Sequence, residues 1–225
     1  MEKHMAMIAE TLMSDSIIPL RTSDTGDEAL AIMNEFYVRH LPIVNNEQLL
    51  GLLSEDDILN NDVEEAVGSY SLSLPHACVR QGDHLYEVIR LMAEYHLTVI
   101  PVIDEQHNYH GLITLENLLR SFAEAGSFRE AGSIIVLEMT KPDYAMSEIA
   151  RIVESEGAVI LSSFITTTID STRIDVTIKI NRQNILSILA TFERYDYQIK
   201  ASYNESEYID TLKERFDSLM SYLRV

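Results

Sequence analysis

The chain predicts a mixed α/β (α+β) fold: a duplicated β-α-β-β-α unit, then a β-α-β-β-α-β unit and a final helix. Three observations predict it. Leu41-Pro42-Ile43-Val44 and Gly51-Leu52-Leu53-Ser54-Glu55-Asp56-Asp57 return as Ile100-Pro101-Val102-Ile103 and Gly111-Leu112-Ile113-Thr114-Leu115-Glu116-Asn117, displaced by 59 and then 60 residues. Arg21/Arg80, Asp24/Asp83, Glu28/Glu87, Met33/Met92 and Glu35/Glu94 keep the first offset, so strand, helix and turn were duplicated together. Farther on, Ile174, Val176, Ile178 and Ile180 alternate with polar residues, the period of a strand with one buried face.

Taken in order, residues 5–13 have helical spacing, with Met5, Ile8, Ala9, Leu12 and Met13 on one side. Ile17-Ile18-Pro19-Leu20 is a short extended lead-in, and Thr22-Ser23-Asp24 carries the chemistry of a helix N-cap. The helix that follows draws its apolar face from Ala29, Leu30, Ile32, Met33, Phe36 and Tyr37. Strands are expected at 41–44 and 49–53, and a helix from Ser54 to about Asn61. The second copy repeats this: a lead-in at Ala77-Cys78-Val79, a helix from Asp83, strands at 99–103 and 109–113, and a helix from Thr114 to about Ala125. Residues 127–132 read as a linker after Gly126. Beyond it come a strand at 133–139, a helix at 144–156, strands at 158–168 and 173–180 around Asp170-Ser171, a helix at 185–195 and a strand at 198–203. From Glu205 the apolar residues Ile209, Leu212, Phe216, Leu219, Met220 and Leu223 form one helical stripe, which docks on its own domain or on a second subunit.

Composition narrows the function. Of 225 residues 46% are apolar, enough for two domains with real cores. The one cysteine, Cys78, allows no internal disulfide and fits a cytoplasmic setting. The start of the chain, with Glu10 inside its apolar patch, does not read as a signal peptide, and no apolar run nears the ~20 residues of a membrane span. Net charge is −19, of which residues 1–126 carry most, with 6 Lys/Arg against 21 Asp/Glu. That field repels nucleic acid and anionic membranes, so neither is an expected partner.

The duplicated marks are a helix ending in Met33 or Met92, a hydrophobic-Pro-hydrophobic strand, and Gly-x-x-(Ser/Thr)-x-x-(Asp/Asn). Together they resemble a tandem pair of CBS domains, a Bateman module, over residues 1–126, with copies at about 8–66 and 67–125. The β-α-β-β-α-β order of residues 133–204 resembles an ACT domain. Its loop Lys141-Pro142-Asp143-Tyr144-Ala145 lacks the glycine of that family's Asp-x-x-Gly, which departs from the amino-acid-binding pattern. The combination resembles acetoin-utilisation-type CBS–ACT proteins.

The resemblance implies ligand clefts. Asp57 would hold a ribose diol and Ser54 the ribose or phosphate, with Thr114 and Asn117 in the matching places. Pro19, Cys78, Arg39, His40 and Thr98 would line the base, beside Pro42 and Pro101. Ser-x-x-Asp is equally a capping box that closes a helix start with no ligand present. Asn117 lacks the charge of Asp57, so the two clefts are expected to be unequal, the first the better. The acidic background favours an AMP-like or S-adenosylmethionine-like effector over a triphosphate. His107-x-x-His110 has metal-like spacing but lies in a turn, and Cys78 reads as a structural thiol. With no catalytic constellation, no covalent cofactor and no bound metal expected, the sequence predicts a ligand-sensing, homodimeric regulator. The alternative is a ligand-free scaffold or subunit for a partner protein.

Overall fold

The computed structural model describes residues 7–125, 128–167 and 172–204. The chain divides into two compact units, Met1–Phe122 and Ala123–Val225. The first holds α1 (Ala9–Leu12), α2 (Gly26–Phe36), β1 (His40–Asn45), β2 (Gln48–Ser54) and α3 (Glu55–Leu59). It continues with β3 (Val79–Arg80), α4 (Leu85–Glu94), β4 (Val99–Ile103), β5 (Tyr109–Thr114) and most of α5 (Leu115–Ala125).

The duplication is structural, down to the register. β1 and β2 pair antiparallel with Pro42 opposite Leu52 and Ile43 opposite Gly51. β4 and β5 repeat this with Pro101 opposite Leu112 and Val102 opposite Gly111, and both ladders slip at the next residue. Leu20 lies parallel to Ile43 as Val79 does to Val102, so a segment pairs at the same place in each half, as a single bridge in the first and as the short strand β3 in the second. The identical Arg/Asp pairs now have a cause. Arg21 N–H donates to the Asp24 carboxylate and Arg80 N–H to that of Asp83, both at 2.8 Å, closing the same turn before each helix.

Those aspartates therefore do not cap the helices, which corrects the expected starts. Thr25 caps α2 in a reciprocal box with Glu28, and His84 Nδ1 accepts the Tyr86 N–H at α4. The first helix is also shorter than the pattern implied. Met13 leaves it to cross Gly111, and Ser14 N–H donates to the Leu112 carbonyl at 2.8 Å, so the chain turns extended where the apolar period still read as helix.

One core joins the halves. Met33 and Met92 are buried, with Leu41, Leu53, Ile58, Leu85, Val88, Ile100, Leu112 and Ile113 packed around them. The hairpin tips meet as well, Tyr109 N–H donating to the Glu47 carbonyl at 2.6 Å. Neither β-α-β-β-α half covers its sheet alone, and the pair covers both.

The second unit contains β6 (Ser133–Thr140), α6 (Met146–Ser155), β7 (Ile160–Thr167), β8 (Arg173–Ile180), α7 (Leu186–Arg194) and β9 (Gln198–Asn204). Its sheet order β7-β8-β6-β9 is the ferredoxin-like arrangement. The alternating isoleucines of β8 face α6 and α7 and bury with Ile135, Leu137, Ile149, Ile152, Val153 and Phe192. Gly132 is buried where a Cβ would stand 2.0 Å from the Ile180 carbonyl oxygen, so this glycine answers to a close approach of two backbones. The stripe from Ile209 to Leu223 lies outside the described residues, as do Met5, the Asp170-Ser171 turn and Gly126. No helix among the described residues is long and apolar enough to cross a membrane.

Candidate functional site

The first unit has two clefts related by its internal symmetry, each built from both repeats. The first, about 420 Å³, lies between the start of α3 (Ser54 to Asp57), Arg39 and His40 where β1 begins, and Tyr95-His96 at the end of α4. The second, about 450 Å³, lies between the start of α5 (Thr114 to Asn117), Thr98 before β4, and Phe36-Tyr37 at the end of α2. Tyr37 and His96 occupy equivalent left-handed positions, each with φ 54°, where the helix must stop to send the chain back along its strand. The sequence reading missed these far walls. Their signal was there: an aromatic or imidazole pair at the common offset, just beyond each buried methionine.

Of the residues expected to bind, Ser54, Asp57, Arg39 and His40 line the first cleft, and Thr98, Thr114 and Asn117 the second. Pro19, Cys78, Pro42 and Pro101 are among the lining residues of neither. Pro42 and Pro101 are buried within their ladders, and Pro42 gives its carbonyl to Leu20 N–H at 2.8 Å. Burial pushes the Cys78 thiol above its ordinary range, which suits a structural rather than a nucleophilic cysteine. His110 pairs with Asp104 at 3.0 Å within its own turn.

At α3 the capping box is complete. Asp57 N–H donates to Ser54 Oγ and Ser54 N–H donates to the Asp57 carboxylate, both at 3.0 Å. Asp57 is 7% exposed as a residue, and its carboxylate has more donors: Ser73 gives it both its N–H, at 3.2 Å, and its hydroxyl, at 3.1 Å. Ser73 lies in the lead-in of the second repeat, ahead of β3, and nothing in the sequence marks it as a partner of Asp57. At α5 the box is only half made. Asn117 N–H donates to Thr114 Oγ1 at 3.1 Å, and the Asn117 side chain returns no bond to Thr114 among the described residues.

A clasp between the repeats separates the clefts. Arg39 N–H donates to Thr98 Oγ1 at 2.8 Å, and His40 Nδ1 receives the Thr98 N–H at 3.3 Å. With Thr98 Oγ1 3.1 Å from the same nitrogen, His40 is held neutral with its proton on Nε2. Burial, then Arg39, lowers its pKa; Asp57, Asp56 and Glu55 oppose this but do not win. An unfolded chain takes up this proton near pH 6.5 and the folded one resists it. Stability is therefore expected to fall as pH drops below 6.5, and His40→Gln to flatten that slope. Urea midpoints of both proteins from pH 5 to 7.5 measure it. Parallel profiles would remove His40 from the account.

The first cleft is acidic, since Glu55, Asp56 and Asp57 face one arginine, and Arg39 is already paired with Glu55 at 3.1 Å. The second carries Glu116 and no cationic side chain in its lining. Its walls are largely apolar, with Tyr37, Leu115 and Leu119 exposed.

Comparison with known proteins agrees with this duplicated architecture. The CBS domain family matches residues 8–64 and again residues 67–124, together just over half of the chain. An inosine-5′-monophosphate dehydrogenase of Methanocaldococcus jannaschii is 23% identical over 113 residues, 50% of this chain and 23% of the enzyme. The chain spans half or less of the curated relatives first matched. Among solved structures, a CBS domain pair/ACT domain protein from Thermotoga maritima has 22% identity and a TM-score of 0.48, covering 53% of this chain and 98% of that one. CBSX2 in complex with AMP has 23% identity and a TM-score of 0.45, covering 52% and 96%. By its two matched segments, the chain belongs to the CBS domain family and carries the domain twice in tandem.

Proposed function

We propose that the first unit senses an adenosine-containing effector, AMP-like or S-adenosylmethionine-like, in the clefts between its CBS repeats. In this reading the ferredoxin-like unit is an ACT-like regulatory domain that receives the response, and the chain itself catalyses nothing. The observation that carries it is the second cleft. It sets the half-buried Asn117 amide at the first turn of an eleven-residue helix, facing an apolar wall that includes Phe36 and Tyr37. An amide can hydrogen-bond a ribose hydroxyl, and an aromatic and aliphatic wall suits a purine. The lack of cations in the lining argues against a triphosphate. A ligand shifts such a module only by its differential affinity for two conformations.

Calorimetric titration of the full chain with adenosine, AMP, ATP without added metal, and S-adenosylmethionine tests this. AMP or S-adenosylmethionine is expected to bind more tightly than ATP. Asn117→Ala is expected to cost about 1 kcal/mol, roughly a fivefold loss of affinity. A second reading, a ligand-free scaffold, is favoured by one observation: the Asp57 carboxylate is satisfied by protein donors alone. No heat and no thermal shift with any of the four compounds would establish it over the first.

A further inference from the structure

We infer that Ser73 is an intramolecular occupant of the first cleft, so that an adenosyl effector fills the second cleft first and enters the first only by displacing it. The inference rests on the ligand-binding reading above. A ribose diol offers a carboxylate two hydroxyl donors, and Ser73 offers Asp57 two donors from one residue, its N–H to Oδ1 at 3.2 Å and its hydroxyl to Oδ2 at 3.1 Å. With Ser54 N–H also on Oδ2, the acceptor surface that a diol needs is in use.

The segment around Ser73 is built to hold it there and to let it go. Leu72 and Leu74 on either side are half-buried against the first unit's core, and Leu52 N–H donates to the Leu74 carbonyl at 3.2 Å. Ser73 itself is exposed, so its side chain can turn outward without moving those anchors. The other repeat shows what the latch requires. There Ser14 itself pairs with Leu112 as Leu74 pairs with Leu52, so by the ladder Met13, whose side chain has no hydrogen-bond donor, takes the place of Ser73. The Ser14 hydroxyl bonds to that of Ser16 at 2.7 Å, and the start of α5 brings Asn117 to the second cleft where the first has Asp57. A neutral amide attracts a serine hydroxyl less than a carboxylate does. The latch thus needs both the Ser73 donors and the Asp57 carboxylate, and the second cleft has neither.

Titration of the full chain with AMP and with S-adenosylmethionine reads the order of filling. The wild type is expected to take one equivalent, and a second only at about tenfold higher concentration. Ser73→Ala is expected to tighten that second event by about fivefold, and to do so equally in an Asn117→Ala background, where the first event is weakened about fivefold and the two events draw together. Two equal equivalents in the wild type, or a second event unmoved by Ser73→Ala, would overturn the latch. Absence of binding in every variant would instead defeat the ligand reading, and amide exchange then tests the latch by itself. The Ser73 amide should exchange at least about tenfold faster in Asp57→Ala while the Leu52 amide keeps its rate. Equal Ser73 rates in the two proteins would show that no latch exists.

Discussion

Phe192→Ala is expected to cost the second unit about 3–5 kcal/mol, the largest effect of any single substitution considered for this protein. The ring is fully buried on α7, stands edge-on to Tyr197 at 5.5 Å, and fills the space between the helices and the isoleucine face of β8. Removing it leaves a cavity lined by β-branched side chains, which are stiff about their first torsion and close such a gap poorly. The two cores share no residue, so the loss should stay in one of them. Amide exchange of the full chain is the measurement. Protection should drop across Ser133–Thr140, Met146–Ser155 and Arg173–Ile180 and persist at Leu41, Ile100 and Leu112. A uniform drop in both units, or a cost under about 1 kcal/mol, would contradict it.

The parts of this fold that were legible are those in which one local rule acts alone. The ladder strands could be placed because Pro42 and Pro101 mark the same register twice and Gly51 and Gly111 mark the partner strand. The β8 strand was legible because its period is undisturbed from Ile174 to Ile180. Errors arose where two local rules compete. Thr22, Ser23, Asp24 and Thr25 are all acceptable caps, and only the Asp24 bond to Arg21 N–H assigns that aspartate to the turn and leaves the helix to Thr25. Met13 has helical spacing, yet a strand edge at Leu112 claims its neighbour. Asp57 and Asn117 lead to the expectation that the first cleft is the better binder, whereas the Ser73 donors on Asp57 favour the second. That the charge of Asp57 holds Ser73 could not be anticipated, because the contact joins residues sixteen apart through a segment with no periodic signal. Likewise, the common offset marks Tyr95 and His96 as a pair with Phe36 and Tyr37, but that they line the Asp57 cleft follows only from how the two repeats pack, which no spacing within one repeat encodes.

The same passage of chain assigns the motif glycines a role beyond the clefts. Gly51→Val is expected to destabilise the first unit by about 1–3 kcal/mol, and Gly111→Val by less. A Cβ at Gly51 would meet Leu72 Cδ1 at 2.6 Å and the Pro75 Cα at 3.2 Å, so the segment carrying Ser73 must lift away from β2. At Gly111 the nearest atom is Met13 Sδ at 3.1 Å, the pliable end of a thioether chain that can swing aside. Gly51 also holds a φ of 158°, which an L side chain rarely adopts, so backbone strain adds to the collision there but not at Gly111, where valine otherwise suits a strand. Because the collision falls on the segment that supplies the Asp57 donors, Gly51→Val should also speed amide exchange at Ser73, whereas Gly111→Val should leave that amide alone. Urea unfolding combined with exchange at this one position separates the two glycines. Equal costs at Gly51 and Gly111, with Ser73 unaffected by either, would mean that the segment yields freely and that each glycine serves only its own ladder.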